Sequence, residues 1–249
     1  MNEPYLSLVI PLRDERENLR PLREELKAAL HAARWTFEII WVDDGSTDGS
    51  REVLQEICAE DVTSRALRLD RARGQTAALD AGFREARGEI VATLDADLQS
   101  DPADIPRMMD SLGSLDALVG YRIRRDDPAW RRALSRAANA VRNRVLGESI
   151  RDTGCSLKLF RRRCLQRIKL YDGMHRFLPA LLSLEGFRVG QIGVRHRPRY
   201  KGRSKYGPTS RILGPVLDLL AVKWMQKRKL DYRAEILRGK ERERNSRAG

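Results

Sequence analysis

Asp95-Ala96-Asp97 closes the apolar run Ile90-Val91-Ala92-Thr93-Leu94, and Gln99 follows two positions later. Two carboxylates one residue apart, just past a strand that reads as buried, are placed to hold a divalent cation. The nearby amide oxygen extends the set. Mg²⁺ and Mn²⁺ take hard oxygen ligands of this kind and keep positions open for phosphates. An isolated Asp-x-Asp is also a common way to turn a chain after a strand. The neighbouring acids favour the first reading. Val42-Asp43-Asp44-Gly45-Ser46-Thr47-Asp48 follows a second apolar run, Phe37 to Val42. A third run, Leu6 to Ile10, ends at Pro11 and leads into Arg13-Asp14-Glu15. Gly45 permits a tight turn, and Ser46 or Thr47 can cap the helical stretch that comes next.

Three apolar strands therefore deliver acids at their carboxyl ends, with helices between them. In an open α/β sheet that edge is where ligands bind. Acids gathered there suit hydrogen bonds to a base and ribose, together with a metal for a diphosphate. Strands are expected near residues 5–11, 37–43, 65–69, 90–94, 117–121 and 187–196. Residues 129–147 read as an amphipathic helix, with Trp130, Leu134, Ala138, Val141 and Val145 at helical spacing. Such a stripe ordinarily packs on the protein's own core. Arg131, Arg132, Arg142 and Arg144 lie off it.

A chain of 249 residues with 41% hydrophobic content can bury a sizeable core as one large domain or two small ones. No low-complexity tract, linker or internal repeat divides it. Met1-Asn2-Glu3-Pro4 runs straight into the first strand, so no secretory leader is expected. Cys58, Cys155 and Cys164 make an odd set without metal-ligand spacing, which fits free thiols in a reducing compartment. Cys155 is expected to pack rather than to react.

The net charge of +13 points to nucleic acid, an anionic membrane surface or a phosphorylated substrate. Zinc-finger spacing, an RNP-like aromatic pattern and a helix-turn-helix signal are all missing, and aromatics are only 6%, which argues against nucleic acid. Arg195, Arg197, Arg199, Lys201, Arg203 and Lys205 alternate with other residues; on a strand they would share one face. Seven basic residues and no acid lie between Arg195 and Arg211, a pattern suited to a phosphate ligand or lipid headgroup. Ile212 to Val222 is apolar apart from Asp218, but it is too short to cross a hydrocarbon core, which needs about 20 residues. The following Lys223-Trp224-Met225-Gln226-Lys227-Arg228-Lys229 suits a membrane interface.

Four stretches resemble successive motifs of family 2 glycosyltransferases: Ser7–Asn18 (SLVIPLRDEREN), Val42–Ser50 (VDDGSTDGS), Gly74–Gly88 (GQTAALDAGFREARG) and Leu94–Gln99 (LDADLQ). Arg151-Asp152-Thr153-Gly154-Cys155 and Arg199–Tyr206 (RYKGRSKY) resemble the branch that glycosylates polyprenyl phosphates. The resemblance spans roughly residues 5–211 and implies a GT-A fold: α/β, a mostly parallel sheet with helices on both faces. It also implies a catalytic domain over 1–211; beyond it the apolar run and basic cluster described above read as a membrane-associating amphipathic helix and charged tail over 212–249. By the same resemblance, Pro11 and Glu15 sit around the nucleobase, Asp43 binds base or ribose, and Asp44 fixes the turn. Asp95 serves the nucleotide sugar and, with Asp97 and Gln99, holds Mg²⁺ or Mn²⁺; Asp97 counts as catalytic on that ground. Arg122, Arg199, Ser204 and Lys205 bind phosphates, and Asp152 lines the acceptor side.

The activity implied is an inverting, in-line transfer of a sugar from a nucleotide-diphosphate donor to a polyprenyl phosphate. A phosphomonoester is largely dianionic at pH 7 and needs no general base. A hydroxyl acceptor needs one, and Asp152 is then the first candidate. His31, His175 and His196, the three histidines, offer no evident base. Many polyprenyl-phosphate enzymes continue into transmembrane helices where this chain has its charged tail. A peripheral protein on the cytoplasmic face of the membrane is therefore expected, with a separate membrane-anchoring protein as one way to reach the lipid. Two further alternatives remain: transfer to a hydroxyl of a soluble glycan, and a non-catalytic scaffold of the same fold at the membrane surface. A nucleotidyltransferase would ordinarily carry a Gly-rich loop after the first strand, where this chain has Leu12-Arg13-Asp14-Glu15.

Overall fold

A computed structural model describes residues 3–31, 33, 35–123, 129–198, 213–230 and 232. In chain order the elements are β1 (Leu6–Leu12), α1 (Arg16–His31), β2 (Phe37–Asp43), α2 (Ser50–Glu60), β3 (Ser64–Arg68) and α3 (Gln75–Glu85). There follow β4 (Ile90–Thr93), α4 (Asp104–Leu112), β5 (Ala117–Arg122), α5 (Ala129–Leu146), β6 (Lys158–Arg161) and α6 (Arg162–Leu165). A 3-10 turn, Met174–Phe177, then leads to α7 (Leu178–Leu184), β7 (Val189–Val194) and α8 (Leu213–Arg228).

Seven strands form one sheet in the order β3-β2-β1-β4-β6-β5-β7. All neighbours pair in parallel except β6, which is antiparallel to β4 and β5. The chain runs outward from β1 to β3, then crosses to β4 on the other side of β1. The crevice for a ligand in an open α/β sheet lies at such a reversal, outside the carboxyl ends.

Alternation along the central strands builds two cores. Leu6, Leu8 and Ile10 of β1 and Phe37, Ile39 and Trp41 of β2 face α1, α2 and α4, where Leu19, Leu22, Leu26, Leu54, Ile57, Ile105 and Met108 meet them. Val9, Ile40 and Val42 face the other way, onto Ala78 and Leu79 of α3 and Leu178 and Leu182 of α7. With helices on both sides, every residue of β1 and β2 is buried, which is why these strands read as nearly continuous apolar runs. Gly82 lets α3 lie close on β1, because a Cβ there would collide with Val9. A third core joins Leu146 of α5, Met174 and Phe177 of the 3-10 turn, Ala180 and Leu181 of α7, and Val222 of α8.

The six expected strands are present with small boundary shifts. The antiparallel β6 lies outside that expectation. The strand expected over 187–196 stops at Val194, because the next residues leave the sheet to dock on α4. Arg195 pairs with Asp101 and Asp104, and Arg197 pairs with Glu25 and Asp101. These two cations are therefore engaged by internal carboxylates rather than aligned on one strand face. The expected cap also differs. α2 begins after Gly49, whose φ is 88°, while the hydroxyl of Ser46 accepts the backbone N–H of Asp14 instead.

The helix expected over 129–147 forms, and Val145 of its apolar stripe packs against the third core, but the middle of the stripe does not pack inward. Leu134 and Val141 are 63% and 58% exposed, whereas Arg142, off the stripe, is buried. Its guanidinium reaches the carbonyl of Ile150 and the side chain of Asn143. α5 is anchored by its C-terminal end and by α8, so Leu134 and Val141 are turned outward. On α8, Val216, Leu217, Leu220 and Trp224 are likewise exposed.

Candidate active site

The loops after β1, β2 and β4 meet at the carboxyl edge of the sheet, and hydrogen bonds tie the first two together. Ser50 Oγ accepts the N–H of Glu15 at 3.1 Å, and Asp14 Oδ1 accepts that of Thr47 at 2.7 Å. Pro11 lies inside β1, opposite Val42 of β2. Glu15 takes a 2.5 Å hydrogen bond from the amide of Asn18. Among the described residues the two non-glycine positions with positive φ are Asp14 (48°) and Leu98 (60°). Left-handed backbone at such residues costs on the order of 1–3 kcal/mol and persists where the surroundings enforce it. Both lie in these loops, and Leu98 stands between Asp97 and Gln99.

Asp43 is 1% exposed. Its Oδ1 accepts the N–H of Ser46 at 2.8 Å, while its buried Oδ2 has no hydrogen-bond partner among the described residues and lies 3.7 Å from Arg68 Nε. A buried carboxylate oxygen left in this way costs free energy until a donor reaches it. Asp44 is used differently. It accepts the backbone N–H groups of Arg73 and Gly74 at 2.5 and 2.9 Å, which fixes the approach to α3.

Asp95 accepts a 2.8 Å hydrogen bond from Gln75 Nε2, and its backbone N–H donates to Ser156 Oγ at 3.3 Å. Asp97, 7% exposed, accepts the N–H of Gln99 at 3.1 Å. The amide nitrogen of Gln99 lies 3.5 Å from both His196 Nε2 and the carbonyl of Arg197. Among the described residues no group of three or more His, Cys, Asp or Glu side chains is arranged to hold a metal. A cation here would rest on two carboxylates and one amide oxygen, an all-oxygen set that fits Mg²⁺ or Mn²⁺ completed by phosphate oxygens.

Arg122 and Asp152 meet one another. Arg122 Nε donates to Asp152 Oδ2 at 2.6 Å and Nη2 to Oδ1 at 2.9 Å, while the N–H of Gly154 adds a further bond to Oδ1 at 3.1 Å. Beneath this pair lies Lys158 of β6, which is buried and donates to the carbonyl of Cys155. Burial pulls its pKa down, against the fields of Asp95 and Asp152, which raise it. Burial pushes the Cys155 thiol up, consistent with a packing role. Arg199, Ser204 and Lys205 lie outside the described residues.

The sequence reading named no role for Gln75, Ser156, Lys158 or His175. Gln75 stands in the Gly74–Gly88 stretch that resembles a family motif. The others are brought in by β6 and the 3-10 turn.

The family model "Glycosyl transferase family 2" matches residues 7–169. The chain belongs to this family. A dodecaprenyl-phosphate galacturonate synthase of Rhizobium johnstonii is 41% identical over 230 residues, covering 90% of this chain and 68% of that one. An undecaprenyl-phosphate 4-deoxy-4-formamido-L-arabinose transferase of Pseudomonas fluorescens is 37% identical, covering 88% of this chain and 65% of that one. The chain thus spans about two thirds of the length of these curated relatives. The fold is GT-A. Glucosyl-3-phosphoglycerate synthase of Mycobacterium tuberculosis, solved with Mn²⁺, UDP and phosphoglyceric acid, superposes with a TM-score of 0.66 at 16% identity, covering 92% of this chain and 80% of that one.

Proposed function

We propose that this family 2 glycosyltransferase moves a sugar from a nucleotide-diphosphate donor to a polyprenyl phosphate at a membrane surface. The curated relatives supply the acceptor class by their names. The Arg122–Asp152 pair is the observation in this chain that carries the choice. Asp152 accepts from the guanidinium at both oxygens and from Gly154. A carboxylate so engaged is a poor general base. An acceptor that needs no base, a phosphomonoester already ionised at pH 7, suits this site better than a hydroxyl.

On this reading Asp43 Oδ2 receives an N–H of the base or an O–H of the ribose, with Pro11 and Glu15 alongside. Asp95, Asp97 and Gln99 hold Mg²⁺ or Mn²⁺, which when bound neutralises the diphosphate as it leaves. Arg122, held by Asp152, presents positive charge toward the attacking phosphate, and Arg199, Ser204 and Lys205 add to it. Residues 1–211 form the catalytic unit. Residues 212–249 form the membrane-associating part, where exposed Val216, Leu217, Leu220 and Trp224 suit an interface. No helix among the described residues is long and apolar enough to cross a membrane. The exposed face of α8 supports association with the membrane surface, through this face or through a separate membrane protein.

The test is a screen of UDP- and GDP-sugars, a UDP-uronic acid and a UDP-formamidopentose among them, with Mg²⁺ or Mn²⁺. Each donor is offered polyprenyl phosphate and a hydroxyl acceptor. Metal-dependent transfer to the lipid phosphate is expected. Transfer to hydroxyls alone would overturn the acceptor assignment.

A further inference from the structure

The first turn of α3 is gripped from three directions. Asp44 holds the N–H groups of Arg73 and Gly74 from the β2 side. Gln75 reaches forward to Asp95. Thr76, 3% exposed, pairs its hydroxyl with Nδ1 of His175 at 2.7 Å. That last contact joins residues 99 positions apart. His175 sits in the 3-10 turn whose Met174 and Phe177 are buried in the third core. The Asp218 carboxylate of α8 lies against Gly173, at the start of that turn.

Nothing in the proposed reaction uses His175. Its hydrogen bond among the described residues is the one to Thr76. Its partner Thr76 directly follows Gln75, so the contact governs how α3's first turn is rotated about its axis. Rotation of that turn moves Gln75 against Asp95. Resting on the donor-site reading above, we propose that His175 is a positioning residue for the metal-binding carboxylate. It holds Thr76, Thr76 fixes the α3 turn, and Gln75 fixes Asp95. Asp218 backs the same turn from α8, so the helix with the exposed apolar face and the metal site share one support.

Partners that orient metal ligands typically contribute 10–100-fold in metal affinity. The test measures Mn²⁺ binding to the full-length protein by electron paramagnetic resonance, with saturating UDP or GDP, whichever binds. His175→Leu should weaken Mn²⁺ about tenfold. Thr76→Val, nearly isosteric and so a safeguard against misfolding, should do the same. The double variant should be no worse than either alone, because both remove one contact. His175→Asn, which keeps a polar atom near the Nδ1 position, should recover most of the affinity. The KM for polyprenyl phosphate should stay unchanged in all four. Unaltered Mn²⁺ affinity in folded His175→Leu, or additive losses in the double variant, would overturn the proposal. If the unmodified protein binds no Mn²⁺ with either nucleotide, the donor-site reading falls, and the proposal with it.

Discussion

The two edges of the sheet both bury carboxylates, and they differ in how completely they satisfy them. At the amino edge Glu38 is saturated. Its Oε1 accepts from Ser7 Oγ and from the N–H of Arg87, and its Oε2 accepts from Arg65 Nε at 2.9 Å. Asp116 is saturated too, by Arg163 at one oxygen and the N–H of Arg188 at the other. The Arg188 N–H, followed by Arg163, holds its pKa below the ordinary carboxylate range. At the carboxyl edge Asp43 keeps a buried oxygen without a hydrogen bond among the described residues, and the backbone at Asp14 and Leu98 is held at positive φ. One edge spends its acids on the fold; the other keeps an acceptor for something outside it.

The largest expected effect lies at the carboxyl edge. Asp97→Asn removes one of the two proposed ionic ligands and should lower transfer by about 10²–10³-fold or more, with the thermal midpoint nearly unchanged. Excess EDTA should do the same reversibly. Full turnover in EDTA would remove the cation from the reaction.

Exchanging one oxygen for an amide at each edge sharpens the contrast. Asp43→Asn should weaken nucleotide binding roughly 10–100-fold, the value of a hydrogen bond to a charged group. Stability should hold or rise, since a buried charge is removed. Glu38→Gln should do the reverse. It should cost about 1–3 kcal/mol of stability, because Arg65 loses its charged partner, and leave the donor KM unchanged. Calorimetry on nucleotide binding and urea melts on both variants measure the two effects. A nucleotide-binding defect in folded Glu38→Gln would erase the distinction between the edges.

How much of this was legible in the sequence follows from where the constraints act. β1, β2 and β4 declared themselves, because burial on both faces demands an unbroken apolar run, and the acids that follow each run mark the edge. β6 did not. It is four residues, Lys158 to Arg161, with a buried lysine inside it. The stripe of α5 was legible as a helix but not as a surface, since helical spacing records an apolar face without recording what covers it. The buried partner on that helix is Arg142, whose pKa is lowered by burial against the attraction of Glu148. Asp152 and Arg122 were each legible, their bond to one another was not. The Thr76–His175 contact joins residues remote in sequence, and no local pattern announces such a pair.

His175 also gives the comparison a pH dependence. Burial, then the positive charges of Arg176 and Lys158, lower its pKa from 6.5 to about 3. The imidazole is therefore neutral in the folded protein at pH values where the unfolded chain is protonated. Its share of stability is complete above about pH 6.5 and is lost as pH falls, by on the order of 1.4 kcal/mol per pH unit until near pH 3. Urea melts at pH 7 and 4.5 should show a larger loss for the unmodified protein than for His175→Leu. Parallel losses would mean that the ring is protonated in place.

The smallest expected effect concerns the face formed beside the sheet by α5 and α8. Each Lys or Arg near an anionic bilayer contributes about 1 kcal/mol, screened within a Debye length. The exposed apolar side chains add a part that salt does not remove. The protein should sediment with anionic liposomes at low salt, bind neutral ones weakly, and be partly released as salt rises. Deleting 212–249 would test this crudely, because it also strips Val222 from the third core and exposes what lies beneath. Replacing Leu217 and Trp224, 57% and 63% exposed, with serine leaves Val222 in place. That double variant should retain the salt-sensitive binding and lose several-fold of what persists at high salt, since each buried CH₂ contributes about 0.8 kcal/mol. If a folded, full-length protein ignores anionic liposomes at low salt, direct association is ruled out. The enzyme would then need a membrane-embedded partner to bring it to its acceptor, or else a soluble acceptor, which would weaken the polyprenyl-phosphate assignment but not the glycosyltransferase one.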